Sequence, residues 1–487
     1  MAAIPAVAGD FQTRLFINNE YVSAKSGQFW PVQNPYDSSV ITEQVHCAGE
    51  DDVNEAVAAA QAAFYGSWRS MPAHEKAKRM LALADLLDEH KDRLIKMESL
   101  SMGLPMSLGA RMGEFLGPIW RYYAGFCDKQ PGDYVPEGGD QSCKVVRYEP
   151  FGVCAGIGAW NASLFTMCMK MAPAVAAGNT FIFKSSERSP LGTLQVGELI
   201  ARAGFPPGVI NLLSGSGPTG SLLASHMEIR RISFTGSVQA GRQVQVAAAK
   251  SNLKRVTLEL GGKSPSIILE DADLEKALVH SSQNFLVNSG QICVAASRVF
   301  VHESIVQPFV DGLKSRFEMM AQMAGNPAES TTFLGPLADH HQTGRVMDFM
   351  NEAQSSGIQV VTGGTAKDNF VVPTIMMNPP ADSTVWTKEI FGPVLCVRSF
   401  KDQEEAIHLA NSTSYGLSSC IFTKNVPRAL QISNRIEAGS VSINSSHMPD
   451  MHTPMGGWKE SGSGGCEGGA AGFWSYLQPK AVLIDLS

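Results

Sequence analysis

From residue 153 onward, short apolar runs alternate with helical patterns four times in succession. The runs fall at 153–159, 180–183, 209–213 and 231–234, and the helical patterns begin near Leu164, Pro190, Pro218 and Val238. Few architectures satisfy that rhythm. Parallel strands need a crossover of about a dozen residues between them, and each intervening helix supplies one. The segment therefore predicts an α/β unit, a parallel sheet with helices on both faces. A second α/β series follows from Ser264, with strand candidates at 266–269, 298–301, 359–361, 394–399, 418–422 and 441–444. After Gly456 the chain turns glycine-rich and ends in a strand-like run at 481–484.

The N-terminal part reads differently. Residues 11–50 suggest short strands and turns, with Leu15-Phe16-Ile17 and Asn18-Asn19 opening a hairpin. Asp51-Asp52 caps an alanine-rich helix that carries Val53, Val57, Ala60 and Phe64 on one face. A longer amphipathic helix over 73–97 turns Leu81, Leu83, Leu86, Leu87 and Leu94 inward. A third helix holds Phe115, Trp120, Tyr122, Tyr123 and Phe126, read mostly as core. Between residues 134 and 148, a Gly138-Gly139 turn with β-rich flanks predicts a projecting hairpin.

Bulk properties narrow the class. A chain of 487 residues has room for about three domains, or for two large ones. Its net charge of −7 offers no basic field, so nucleic acid is not an expected partner. Nine cysteines, widely spaced and with no CxxC pair, argue against a disulfide framework or a zinc site. No secretory signal is evident in residues 1–10, and the most apolar region, 151–183, is broken by Asn161, Lys170 and Asn179. These features lead to the expectation of a soluble cytoplasmic protein, with no membrane partner and no metal.

Two stretches carry chemistry. Cys293 follows the polar, backbone-permissive run Asn288-Ser289-Gly290-Gln291. A lone cysteine is most often a small buried apolar residue. The balance shifts with Leu258-Glu259-Leu260-Gly261-Gly262-Lys263-Ser264-Pro265, because a carboxylate at an apolar strand end is costly unless it has a task. A thiol nucleophile and a carboxylate base are the components of covalent catalysis through a thioester.

The dinucleotide signal is less direct. Gly215-Ser216-Gly217-Pro218-Thr219-Gly220 fits GxGxxG between a strand and a helix, yet no Asp or Glu occurs between Ile229 and Leu258 to bind a ribose. Lys184-Ser185-Ser186-Glu187 is the alternative, since it directly follows a strand of the parallel sheet. Phe234-Thr235-Gly236-Ser237 through Gly241 adds a glycine turn ahead of a helix, where backbone N–H groups can meet a pyrophosphate.

Together these segments resemble the signatures of the NAD(P)-dependent aldehyde dehydrogenase superfamily. Five agree in order, namely Trp160-Asn161, Lys184 with Glu187, Phe234 to Ser237, Glu259 to Pro265 and Gly290 to Cys293, and the similarity covers nearly the whole chain. It implies the aldehyde dehydrogenase fold. A Rossmann-like NAD-binding domain would span residues 1–126 and 149–260, with an α/β catalytic domain over 261–445. The hairpin 127–148 and the tail 446–487 would form a small β oligomerisation element of a homodimer or homotetramer.

The resemblance also implies roles. Cys293 is the nucleophile, Glu259 the base for thioester hydrolysis, and Asn161 the oxyanion donor, together with the Cys293 backbone N–H. Read alone, Asn161 is a cap for the helix near Leu164. Lys184 and Glu187 would hold the adenosine ribose, and a Glu187 carboxylate would repel a 2′-phosphate, favouring NAD over NADP. Trp160, Gly217, Gly236, Ser237, Gly241, Leu260, Glu389 and Phe391 complete the implied cofactor site. Phe115 matches a tunnel-lining position.

Departures bear on the substrate. Ala162-Ser163 stands where most relatives have Phe-Pro, which widens the pocket unless Phe165 refills it, and Met455 replaces an aromatic residue. Gly465-Cys466-Glu467 replaces Arg-Glu and puts a proton relay from the tail in doubt. The motifs look most like the salicylaldehyde and vanillin dehydrogenase branch, which implies an aromatic or bulky aldehyde. His447 and His452 flank the expected pocket mouth without an assigned role. Two competing readings share the fold. One is a dehydrogenase that passes the acyl group to coenzyme A, against which Glu259 argues. The other is a non-catalytic NAD-binding or structural protein.

Overall fold

The fourfold alternation closes into a sheet. Val153–Ile157, Thr180–Ser185, Ile210–Ser214, Arg231–Thr235 and a fifth strand, Arg255–Glu259, all pair in parallel in a computed structural model that describes residues 11–136, 142–446 and 450–485. Their spatial order begins with the Arg255 strand and continues through the Arg231, Val153, Thr180 and Ile210 strands. The hairpin Leu15–Ile17 and Glu20–Val22 extends the far edge in antiparallel fashion. Its turn is built by Asn18 and Asn19, at φ 55° and 65°, a conformation that asparagine tolerates better than most residues. Chain order reverses between the Val153 and Arg231 strands. Such a switch point opens a crevice at the strands' carboxyl ends, where ligands bind in sheets of this type.

A second seven-stranded sheet faces that crevice. Its order is Gln359–Thr362, Thr374–Met377, Val394–Phe400, Arg298–His302, Pro265–Ile268, Ser418–Phe422 and Ser440–Ile443. Every neighbouring pair is parallel except the first, where Gln359–Thr362 runs antiparallel. Both sheets carry buried apolar clusters on their two faces, as continuous apolar strands require. Arg298, wholly buried at the start of its strand, donates to the carbonyls of Lys263, Leu409 and Ala410, so its charge is fully engaged.

Asp133–Val135, Ser142–Pro150 and Leu477–Asp485 form a separate antiparallel sheet, with Tyr134, Val135, Leu483 and Ile484 exposed. The Gly138-Gly139 turn lies outside the described residues. Arg231 ties the C-terminal tail to the first sheet, donating to the Ser475 carbonyl and lying 3.8 Å over the Tyr476 ring.

Several expectations need correction. Leu81 points to solvent from the helix Ala73–Met102, whereas Leu83, Leu87 and Leu94 are buried as read. The first helix, Glu50–Ala63, is capped at Gly49, and Asp52 acts from inside by accepting the Gly49 N–H at 2.8 Å. Phe115 and Phe126 fall outside the helix Leu116–Ala124, and a separate helix, Met106–Gly113, precedes it. Among the described residues no helix is long and apolar enough to cross a membrane.

Candidate active site

The loop carrying Cys293 is built from strained backbone. Asn288, Ser289 and Gly290 take φ of 50°, 53° and 73°, three left-handed residues in a row. Such a loop persists only when its surroundings over-determine it. The Ser289 hydroxyl donates to the Gly335 carbonyl at 2.6 Å, the Gln291 amide donates to the Asn288 carbonyl at 3.0 Å, and the Ala338 N–H donates to Gln291 Oε1 at 3.0 Å. Asn161 arrives from the first sheet, immediately before the helix Ser163–Ala176. Its Nδ2 donates to the Gln291 carbonyl at 3.0 Å, which fixes the amide plane beside Cys293. An amide nitrogen has two hydrogens, so one remains to donate into the crevice.

Glu259 reaches the same place at the end of its strand because two glycines follow it. A Cβ at Gly262 would sit 2.5 Å from the Cys293 carbonyl oxygen, and one at Gly261 would sit 2.1 Å from Glu389 Oε2. Larger residues would therefore push apart the three segments that meet here. Glu259 is buried, and neither oxygen closes a well-formed hydrogen bond among the described residues. Burial, and then the charge of Glu467, hold its carboxyl well above the usual carboxylate range, with Lys170 and the Gly457 N–H pulling the other way. Lys170 and Glu467 are themselves buried in an ion pair, with the Ser233 hydroxyl donating to Glu467 at 2.9 Å. The altered Gly465-Cys466-Glu467 segment thus holds a buried carboxylate whose charge acts on Glu259. Backbone pairing between Met455 and Glu467 seats it.

Burial, followed by the charges of Glu389 and Glu259, pushes the Cys293 thiol up to about 12. The same burial pushes Glu389 up to about 7, opposed by the Gly262 N–H and by Arg345 and Lys263. Burial thus shifts both groups toward their neutral forms.

A cleft of about 460 Å³ joins these groups, bringing Cys293, Asn161 and Glu259 together with Trp160, Lys184, Glu187, Gly217, Gly236, Ser237, Leu260, Glu389 and Phe391. Lys184 lies 3.8 Å from Glu187, and its ammonium is pushed down by burial against the pull of that carboxylate. Ser237 caps the helix Val238–Lys250, its hydroxyl accepting the Ala240 N–H at 3.2 Å. Trp160 meets Phe391 edge to face at 5.3 Å. Gly241 is different from the other implied cofactor residues. It does not line the cleft, because it packs one turn along the helix, where a Cβ would strike Leu260 at 2.6 Å.

None of the four implied substrate residues is among those that line this cleft. Ala162 is half-buried at the start of the Ser163 helix, Phe165 packs partly against the main core, and Met455 is buried. Phe115 is exposed beside the helix Leu116–Ala124. His452 pairs with Asp450 at 2.7 Å and packs edge-on to Tyr122, and His447 lies outside the described residues.

The model of the aldehyde dehydrogenase family matches residues 21–482. The chain belongs to that family. It is 42% identical to an aldehyde dehydrogenase of Emericella nidulans, over 99% of this chain and 97% of that protein. It is also 42% identical to human retinal dehydrogenase 2, over 97% of this chain and 92% of that one. Among solved structures, the betaine aldehyde dehydrogenase of Staphylococcus aureus in complex with NAD+ superposes with a TM-score of 0.95 at 32% identity. That match covers 98% of this chain and 96% of that one. As an aldehyde dehydrogenase the protein is an oxidoreductase, and several of its cleft residues were not singled out from sequence. Behind the cleft, the buried Lys170 shows in the sequence only as a lysine inside an apolar run. Gln342 and Arg345 share one face of the helix His340–Ser355, a spacing of three that also fits an ordinary solvated surface.

Proposed function

We propose that this chain oxidises an aromatic or otherwise bulky aldehyde to its carboxylic acid, with NAD as the acceptor. The observation that carries the reading is the convergence of Cys293, Asn161 and Glu259 on one cleft. The residues present fit a dinucleotide. A Cβ at Gly217 would meet nothing within 4 Å, so the turn leaves open space toward the cleft, and the capped Val238 helix aims N–H groups nearby. Lys184 and Glu187 would hold the adenosine ribose, and Glu389 and Phe391 the nicotinamide end. Glu187 supports NAD over NADP through charge repulsion of a 2′-phosphate.

The Cys293 sulfur, once deprotonated, adds to the aldehyde carbon and gives a thiohemiacetal. Asn161 Nδ2 and the Cys293 backbone N–H donate to the oxygen as it gains charge. The dinucleotide, when bound, supplies the hydride acceptor that leaves a thioester on Cys293. Glu259 takes a proton from water as the water attacks that thioester, and returns it to the departing sulfur as the C–S bond breaks, releasing the acid and restoring the thiol. The Lys170–Glu467 pair sets the field in which Glu259 titrates. A small Ala162 beside Asn161, in place of a ring, would leave room for a bulky substrate. Exposed Tyr134, Val135, Leu483 and Ile484 support association of this sheet with a second copy, in a homodimer or homotetramer.

The test is NADH formation across a panel of aromatic and short aliphatic aldehydes, each with NAD and with NADP. Aromatic aldehydes with NAD should give the highest kcat/KM. A preference for short aliphatic aldehydes would discard the pocket argument, and no reduction with any pair would discard the activity.

A further inference from the structure

A line of contacts circles the cofactor cleft and joins loops of the two sheets. It starts at Arg188, the residue after Glu187. The Arg188 guanidinium lies 5.4 Å from the centre of the Trp160 ring, and its Nε is 3.1 Å from Asp339 Oδ2. Asp339 has a second task, because its Oδ1 accepts the Gln342 N–H at 2.7 Å and so caps the helix His340–Ser355. From that helix, Gln342 Nε2 donates to the Phe391 carbonyl at 2.8 Å, and Arg345 donates to the Glu389 carbonyl at 2.9 Å. Phe391 closes the line against Trp160. The ion pair thus sits between the segment that follows Thr180–Ser185 and the helix that holds Glu389 and Phe391.

We infer that Arg188 is a positioning residue for the cofactor, acting through Asp339 on the nicotinamide side of the cleft and through Trp160 on its wall. This rests on the dinucleotide reading given above. Arg188 and Asp339 keep 24% and 35% of their side-chain surface, and a pair that exposed adds little to global stability. Its loss is therefore read in ligand affinity rather than in unfolding. The planar guanidinium can pair and stack at once, which an ammonium cannot do as well.

The experiment compares Arg188→Ala, Asp339→Asn and the double variant, using fluorescence titration with NADH, NADH release rates, aldehyde KM and Tm. Asparagine caps a helix about as well as aspartate, so Asp339→Asn removes the charge and leaves the cap. Each single variant should weaken NADH binding about tenfold, and the double variant no further, because one coupling is lost in all three. Aldehyde KM and Tm should stay unchanged, and Arg188→Lys should recover part of the affinity. Unaltered NADH affinity in Arg188→Ala, or additive losses in the double variant, would overturn the inference. Failure of the unsubstituted protein to bind NADH would overturn the cofactor reading beneath it.

Discussion

The two seven-stranded sheets meet the cleft with opposite ends. The first offers carboxyl ends, where Asn161, Lys184, Glu187, Gly236, Ser237 and Glu259 lie in or just after strands of a parallel sheet with a topological switch point. The second offers amino ends, where Cys293 precedes Arg298–His302 and Glu389 and Phe391 precede Val394–Phe400. Carboxyl ends are where topology alone puts ligands. Amino ends carry no such rule, and there the chain relies on a strained loop, a pair of glycines and a helix that props up the Glu389 segment. One sheet brings a ready-made binding edge, and the other brings a nucleophile that must be held in place.

If that division is correct, removing the nucleophile separates chemistry from binding. Cys293→Ala should abolish turnover and leave NAD affinity intact by titration, and a matching loss of both would break the comparison. Glu259 stands where the first sheet passes to the second, and its loss should be partial. Glu259→Gln should slow deacylation by about 10²–10⁴-fold, seen as a burst of NADH followed by a slow steady state. Because the Glu259 carboxyl is held high, the steady rate of the unsubstituted protein should rise with pH, and Glu259→Gln should lose that dependence. A proportionate loss of burst and steady rate would move Glu259 upstream, to activation of the thiol.

Smaller effects sharpen the same division. Glu187→Gln should raise kcat/KM with NADP relative to NAD by about tenfold, because one repulsive charge is removed. With Glu389 pushed up to about 7, the carboxyl is mostly protonated below that pH and accepts hydrogen bonds less well. NAD affinity should therefore fall as pH drops through 7, and Glu389→Gln should flatten the curve. The smallest change belongs to the substrate side. Ala162→Phe should reduce kcat/KM for bulky aldehydes about tenfold relative to short ones.

What was legible in the sequence follows the same line. The Val153-to-Val238 alternation yields a parallel sheet by period and length alone, and Glu187 follows from its place after a strand. Cys293 is weaker, since its polar run gains weight only beside the Glu259 stretch, and Glu389 is singled out by the resemblance alone. Gly241 shows the limit of motif reading. Its neighbour Leu260, distant in sequence, decides that it is a packing glycine. Leu81 faces solvent because it lies two residues from Leu83, about 200° around the helix, which puts it opposite the stripe of Leu83, Leu87 and Leu94. Glu467 could not be placed from sequence, since its seat depends on Lys170 and Ser233 from two other elements.

The most direct test of covalent catalysis is mass spectrometry of the Glu259→Gln protein, quenched after mixing with an aromatic aldehyde and NAD. The account predicts an acyl group on the peptide that contains Cys293, formed only when both reactants are present. NADH formed in the burst with no acyl group on Cys293, or an acyl group carried by another residue, would contradict it.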